Sequence, residues 1–237
     1  MGLIKNQYVF YYPYHEKEMV LEKDLAFQIH KVLRLKEGKK ILLLDGKGKH
    51  STYVLQKISP LKVEVSKVQE KFSPPSSPLI LALALLKSDK TEWVLQKGTE
   101  LGATQFLIFE GENSIAKIKG TEKKLVRWQK IIQEAFEQSC GAYLPSIQTC
   151  PNLLKVLDAY QGFWLAGDAD SSQKLRDYQD KLSQGCGVLI GPEGGFSLAE
   201  FDFFQKQGVQ FFKIASQILR AETAALASLA QIGAFLS

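Results

Sequence analysis

The stretch GVLIGPEGGFSLAE, residues 187–200, decides the reading of this chain. Its first four residues form an apolar run that suits a parallel strand covered on both faces. Its last residues include Ser197 and Glu200, whose S-x-x-E spacing is that of a capping box and marks a helix start. Between strand and helix lie Gly191, Pro192, Glu193, Gly194, Gly195 and Phe196. Ligands of open α/β sheets bind at the carboxyl ends of strands, and glycines let backbone groups approach a ligand without obstruction. Two common phosphate cradles are excluded. No Lys-Ser/Thr pair follows, as a P-loop needs, and the spacing is not G-x-G-x-x-G. Glu193 would also repel a phosphate, so a ligand with a neutral or cationic polar part fits better. A plain glycine-rich turn is the alternative.

Working outward, a second loop raises the odds of a site. The segment FFKIASQILRAETAALA, residues 211–227, reads as a strand over 211–214, a loop, and the start of the last helix. Glu222 at the mouth of that helix favours its positive end. Arg220 does not, so it serves another partner, either a ligand or a carboxylate such as Glu222 or Glu193. A third strand end is Leu165-Ala166-Gly167-Asp168. Three neighbouring strand ends with small residues make one pocket.

The rest of the chain divides at SPPSSP, residues 73–78, where three prolines in six residues allow neither helix nor central strand. Beyond it, apolar runs alternate with helical patterns, which predicts a doubly wound α/β domain over 79–237. Before it, residues 1–72 read as short strands. A hairpin turns at Asp45-Gly46, and a single helix is expected over 21–38. That pattern suggests a small β-barrel.

Residues 1–72 carry 14 lysines and arginines against 8 acids, and the remaining 165 residues carry 16 against 17. The basic segment points to a polyanion partner, with a solvated lysine surface as the other reading. The three cysteines, Cys140, Cys150 and Cys186, are an odd number with no CxxC pair. Neither a disulfide framework nor a metal site is signalled, and a reducing cytoplasm is expected. No secretory signal pattern opens the chain. The longest apolar runs, at 78–86 and 224–236, are shorter than the roughly 20 residues of a membrane helix, so no membrane partner is expected.

GPEGGFSLAE followed by ILRAETAALA resembles the two signature loops of the ribosomal RNA uridine-N3 methyltransferase family, within the SPOUT superfamily. HKVLRLKEG, LLDGKG, KTEWVLQKGTELGA and RWQKIIQEAFEQS resemble the same family, in order, so the likeness covers nearly the whole chain. The resemblance implies an N-terminal PUA-like or OB-like barrel that grips RNA, and a C-terminal domain tied in a deep trefoil knot that binds S-adenosylmethionine. It also implies a homodimer acting on ribosomal RNA or the small ribosomal subunit. Cofactor contacts are expected from Leu165, Ala166 and Gly167; from Ile190, Gly191, Pro192, Gly194 and Gly195; and from Ile214, Ile218, Leu219, Arg220 and Thr223.

Uridine N3 is a poor nucleophile until its proton leaves, so methylation needs a base and positive charge near the imide anion. Arg220 is the candidate for the charge, and Glu193 or Glu222 for the base. RNA contacts are assigned to Lys5, Arg34, Lys39, Lys40, Lys47 and Lys49, and to Lys97 and Arg127 in the second domain. The chain departs from the family's pattern at Asn113, Gly141 and Gln217, where arginines are usual. Those departures leave room for a divergent member that modifies another RNA, or that binds RNA with reduced turnover.

Overall fold

The computed structural model describes residues 7–118, 120 and 122–236. They fall into two compact units. One runs to Pro75 and includes Phe136–Leu144; the other takes Ser76–Ala135 and Pro145 onward.

In the first unit, β1 (Tyr8–Tyr11), β2 (Glu18–Glu22), β3 (Lys40–Leu44), β4 (Lys49–Ile58) and β5 (Lys62–Phe72) pair in the order β1-β3-β4-β5-β2. The β3–β4 hairpin turns at Asp45-Gly46 as expected, and the Asp45 carboxylate accepts the Lys47 and Lys49 backbone N–H groups at 2.7 and 2.9 Å. Register shifts in β4 against β5 bend the long pair. One expectation fails here. The helix predicted over 21–38 is shorter than expected: Leu21 and Glu22 end β2, a short helix α1 (Lys23–Phe27) runs into a π turn over Gln28–Val32, and residues 33–38 are not helical. Leu21 is buried because β2 pairs with β5 and faces the core formed with Ile29, Ile41 and Val63. Left-handed backbone at Lys23 (φ 55°) and Arg34 (φ 50°) brackets the helical segment, a conformation the periodicity of residues 21–38 does not announce.

The second unit holds six parallel strands. They are β6 (Leu79–Ala84), β7 (Gln105–Phe109), β8 (Ser146–Cys150), β9 (Phe163–Gly167), β10 (Cys186–Ile190) and β11 (Gln210–Phe212). Their order is β11-β9-β10-β6-β7-β8. The helices are α2 (Ser88–Glu100), α3 (Glu122–Ser139, whose last turn belongs to the first unit), α4 (Leu153–Asp158), α5 (Gln179–Leu182), α6 (Leu198–Lys206) and α7 (Ala221–Leu236). The doubly wound reading holds. The sequence reading lacked β8, whose SIQTC alternates only weakly, and the short turns around α5. Strands β6 and β10 are buried along their whole length, as continuous apolar runs require. Chain order reverses at the β10–β6 pair, the place where open α/β sheets bind ligands. The sequence pattern of TEKKLVRWQKIIQEAFEQS predicts the long helix α3 with its start at Thr121, and that residue lies outside the described ones.

Candidate active site

Strands β9, β10 and β11 are neighbours, and the chain leaving each of them lines one cavity of about 670 Å3. That size suits a small organic ligand, for which roughly 300–1,000 Å3 is usual. The end of β9 contributes Gly167, Asp168, Ala169 and Asp170. The loop after β10 contributes Ile190, Gly191, Pro192, Glu193, Gly194, Gly195 and Phe196. The segment after β11 contributes Ile214, Ala215, Gln217, Ile218, Leu219 and Arg220. The three strand ends proposed from sequence thus meet in space.

The glycines are fixed by close approach. A Cβ on Gly167 would stand 3.0 Å from Ile214 Cδ1 and 3.2 Å from Ile190 Cδ1, so all three loops converge there. The Gly195 N–H donates to the Pro192 carbonyl at 2.9 Å, closing a turn whose last residue has φ +73°, a left-handed value that favours glycine. A Cβ on Gly191 would press on the Phe196 ring at 3.3 Å. Phe196 in turn stacks on Phe109 and meets Phe204 edge-on at 4.9 Å between centroids, anchoring the loop to the core.

The capping box forms as predicted. The Ser197 N–H donates to Glu200 Oε2 at 2.8 Å, and the Glu200 N–H donates to Ser197 Oγ at 3.1 Å. Glu200 is buried, and its other oxygen accepts the Glu112 N–H at 3.1 Å. Asn113 Nδ2 donates to the Gly195 carbonyl at 3.1 Å. The segment after β7 therefore braces the glycine loop from behind. Asn113, one of the departures from the family pattern, has this bracing contact. Gly141, another, has no room for a side chain, since a Cβ there would lie 2.6 Å from the Phe136 ring. Gln217, the third, lines the cavity and is exposed.

Three assigned cofactor positions stand apart from the cavity wall. Leu165 and Ala166 are fully buried within β9, so only the last residue of that strand reaches the mouth. Thr223 is exposed on α7, one step off the face that Ala221 and Ala224 turn to the cavity.

The charged rim centres on a residue that sequence reading missed. Lys90, in the first turns of α2, lines the cavity and places its Nζ 3.2 Å from Glu222 Oε2 and 3.7 Å from Glu193 Oε1. Burial pushes the Glu222 carboxyl up, but its own backbone N–H, the Lys90 hydrogen bond and the charges of Lys90 and Arg220 outweigh that and hold it below the ordinary glutamate range. Arg220 is exposed and forms no ion pair among the described residues. The one available signal for Lys90 was its place just past the β6 run, and only the β6–β10 pairing brings that place beside Glu193.

The residues assigned to RNA divide. Arg34, Lys39, Lys40 and Lys47 are exposed on the first unit and Lys49 is half-buried. Lys5 lies outside the described residues. On the second unit, Lys97 pairs with Glu100 at 2.7 Å and lies over the Trp93 ring, and Arg127 pairs with Glu92 at 2.7 Å. Among the described residues no group of histidines, cysteines and acids is arranged to hold a metal, and no helix is long and apolar enough to cross a membrane.

Sequence and fold match a known class. Residues 73–233 match the family described as RNA methyltransferase domain, and residues 29–68 match the RNA methyltransferase PUA domain. The chain is 33% identical to ribosomal RNA small subunit methyltransferase E of Bacillus subtilis, over 85% of this chain and 84% of that one. It is 30% identical to ribosomal RNA small subunit methyltransferase E 2 of Borreliella burgdorferi, over 92% of each. The solved structure of a Neisseria gonorrhoeae ribosomal RNA small subunit methyltransferase E, bound to S-adenosylmethionine, superposes with a TM-score of 0.87 at 28% identity, covering 97% of this chain and 98% of that one. A Legionella pneumophila methyltransferase with bound S-adenosylmethionine superposes with a TM-score of 0.86 at 26% identity, with the same coverage. The chain belongs to the ribosomal RNA small subunit methyltransferase E family.

Proposed function

We propose that this chain transfers a methyl group from S-adenosylmethionine to N3 of a uridine in small-subunit ribosomal RNA, acting in the cytoplasm as a homodimer. The observation that carries the reading is the convergence of three strand ends, two of them glycine-bearing, on one cavity in a chain of this family. The wall fits the donor. Ile190, Ile214 and Leu219 offer apolar surface for a purine, and Gly167, Gly191, Gly194 and Gly195 keep backbone groups accessible. Asp168, Asp170 and Glu193 outnumber the two cations that line the cavity, Lys90, which is paired with acids, and the exposed Arg220. That balance suits a sulfonium cation and not a phosphate. When bound, S-adenosylmethionine supplies an electrophilic methyl carbon.

The chain's own residues must place the uridine and prepare its N3. Glu193, on the cavity wall, takes the N3 proton. The exposed guanidinium of Arg220 stabilises the imide anion as it forms. Glu222, held charged, keeps Lys90 in place. Leu165, Ala166 and Thr223 support the loops from outside the wall. In this reading residues 1–72 form the RNA-gripping domain, 73–78 the linker and 79–237 the methyltransferase domain. The segments at 165–167, 190–195 and 215–223 are the cofactor loops of a knotted domain, and Arg34, Lys39, Lys40 and Lys47, with Lys5, Lys49, Lys97 and Arg127, contact phosphates. Such contacts weaken steeply with salt.

The test is transfer of labelled methyl from S-adenosylmethionine into small ribosomal subunits and into free RNA, with the modified base mapped by mass spectrometry. Label at N3 of a uridine supports the reading. Label on another atom or another RNA replaces the substrate, and tight RNA binding without label makes the chain an RNA-binding protein. Arg220→Ala is expected to lower turnover by about 10²–10³-fold while donor affinity, measured in parallel, changes little. Near-normal turnover removes Arg220 from the mechanism.

A further inference from the structure

Lys90 lines the cavity from α2 and Glu193 from the loop after β10, and Glu222, in the first turn of α7, meets Lys90 from outside the lining. These three segments are far apart in the chain and share one ammonium group. Its Nζ hydrogen-bonds Glu222 at 3.2 Å and lies 3.7 Å from Glu193. The three side chains are each about a quarter exposed or less, 25%, 26% and 16% for Lys90, Glu193 and Glu222. Partial burial weakens solvent screening, so the arrangement is stronger than a pair on open surface. Two carboxylates this close to one cation would repel each other without it. The other charged groups at the rim are Arg220, from the segment before α7, and Asp168 and Asp170, from the end of β9.

We infer that Lys90 is a positioning residue for methyl transfer: its ammonium clasps the glycine-loop carboxylate to the final helix and so fixes Glu193 against the cavity. Lysine suits this task. Three N–H donors on a flexible stem can serve two acids from different directions, and the group keeps contact with Glu222 when Glu193 accepts a proton. The charge count stays balanced through that transfer. The proton leaves uridine N3 for the Glu193 carboxylate, the lone pair left on N3 forms the bond to the methyl carbon, and the electrons of the broken carbon–sulfur bond return to sulfur. Lys90 gains and loses nothing covalently.

This inference rests on the function proposed above, so its test needs one arm that does not use turnover. In the first arm, the Glu222 carboxyl is followed by NMR titration in the protein without donor, with its signal assigned through Glu222→Gln. Lys90→Met is expected to move that titration to higher pH, and Lys90→Arg to hold it near the wild-type position. In the second arm, methyl transfer to small ribosomal subunits is measured against pH, with donor affinity measured by calorimetry. Lys90→Met is expected to lower kcat by about 10-fold or more, to shift the acidic limb of the kcat profile to higher pH, and to leave donor affinity within about threefold. Lys90→Arg restores part of kcat. An unmoved Glu222 titration overturns the clasp whatever the activity. A moved titration with unchanged kcat and pH profile confines Lys90 to structure and overturns its positioning role. A moved titration in a protein whose wild type transfers no methyl leaves the clasp standing and rejects the reaction assigned to it.

Discussion

Gly167 concentrates the account in one backbone position. It ends β9, and Ile190 and Ile214 close over it from the two neighbouring strands. Gly167→Val fills the junction of the three loops and is expected to weaken S-adenosylmethionine binding at least about tenfold by calorimetry, with a stability cost of about 1–3 kcal/mol from overpacking. Glu200 offers a second test. Its carboxylate accepts backbone N–H groups from Ser197 and Glu112 while buried. Glu200→Ala orphans both and is expected to cost about 1–3 kcal/mol in denaturant unfolding. Gly195 and Ser197–Glu200 were legible in sequence because their constraints are local: a turn with a left-handed φ, and a cap. Lys90 was not legible, since its meaning depends on two acids more than a hundred positions away. The same holds for the Asn113 side chain, whose partners Gly194 and Gly195 come from another strand's loop.

Strands and helices of the second unit were readable for a common reason. Continuous apolar runs such as β6 and β10 are buried on both faces, and long amphipathic helices such as α3 carry a strong period. The failures were elements whose identity is set by a partner. Strand β2 exists because β5 offers an edge, and its alternation is too short to outweigh the helical pattern that follows it. Strand β8 is half-exposed at the sheet edge beside β7, with little apolar signal of its own. Helix α6 gives an element-level test of the loop it anchors. Ser197→Ala removes the N-cap and is expected to cost about 1 kcal/mol, read from the unfolding midpoint. The same change loosens residues 191–196 and should raise their amide exchange ahead of global unfolding.

Taken as a molecule, the chain joins a PUA unit to a methyltransferase unit, and the segments leaving β9, β10 and β11 line the cavity of the second. Glu222 contributes to the acid response of the fold. Its folded-state carboxyl lies below the ordinary value of 4.5, so its contribution to stability is present above that value and is lost as pH falls through the folded-state value. Urea unfolding from about pH 7 to about pH 3 should show wild type losing more stability with acid than Glu222→Gln does. The measurement that bears most directly on the whole account is a crystal structure with S-adenosylmethionine bound. The account predicts the donor inside the cavity, flanked by Gly167, Gly191 and Leu219, with its methyl directed toward the Arg220 and Glu193 rim. A donor bound elsewhere, or crystals and calorimetry that show no binding at all, would contradict it.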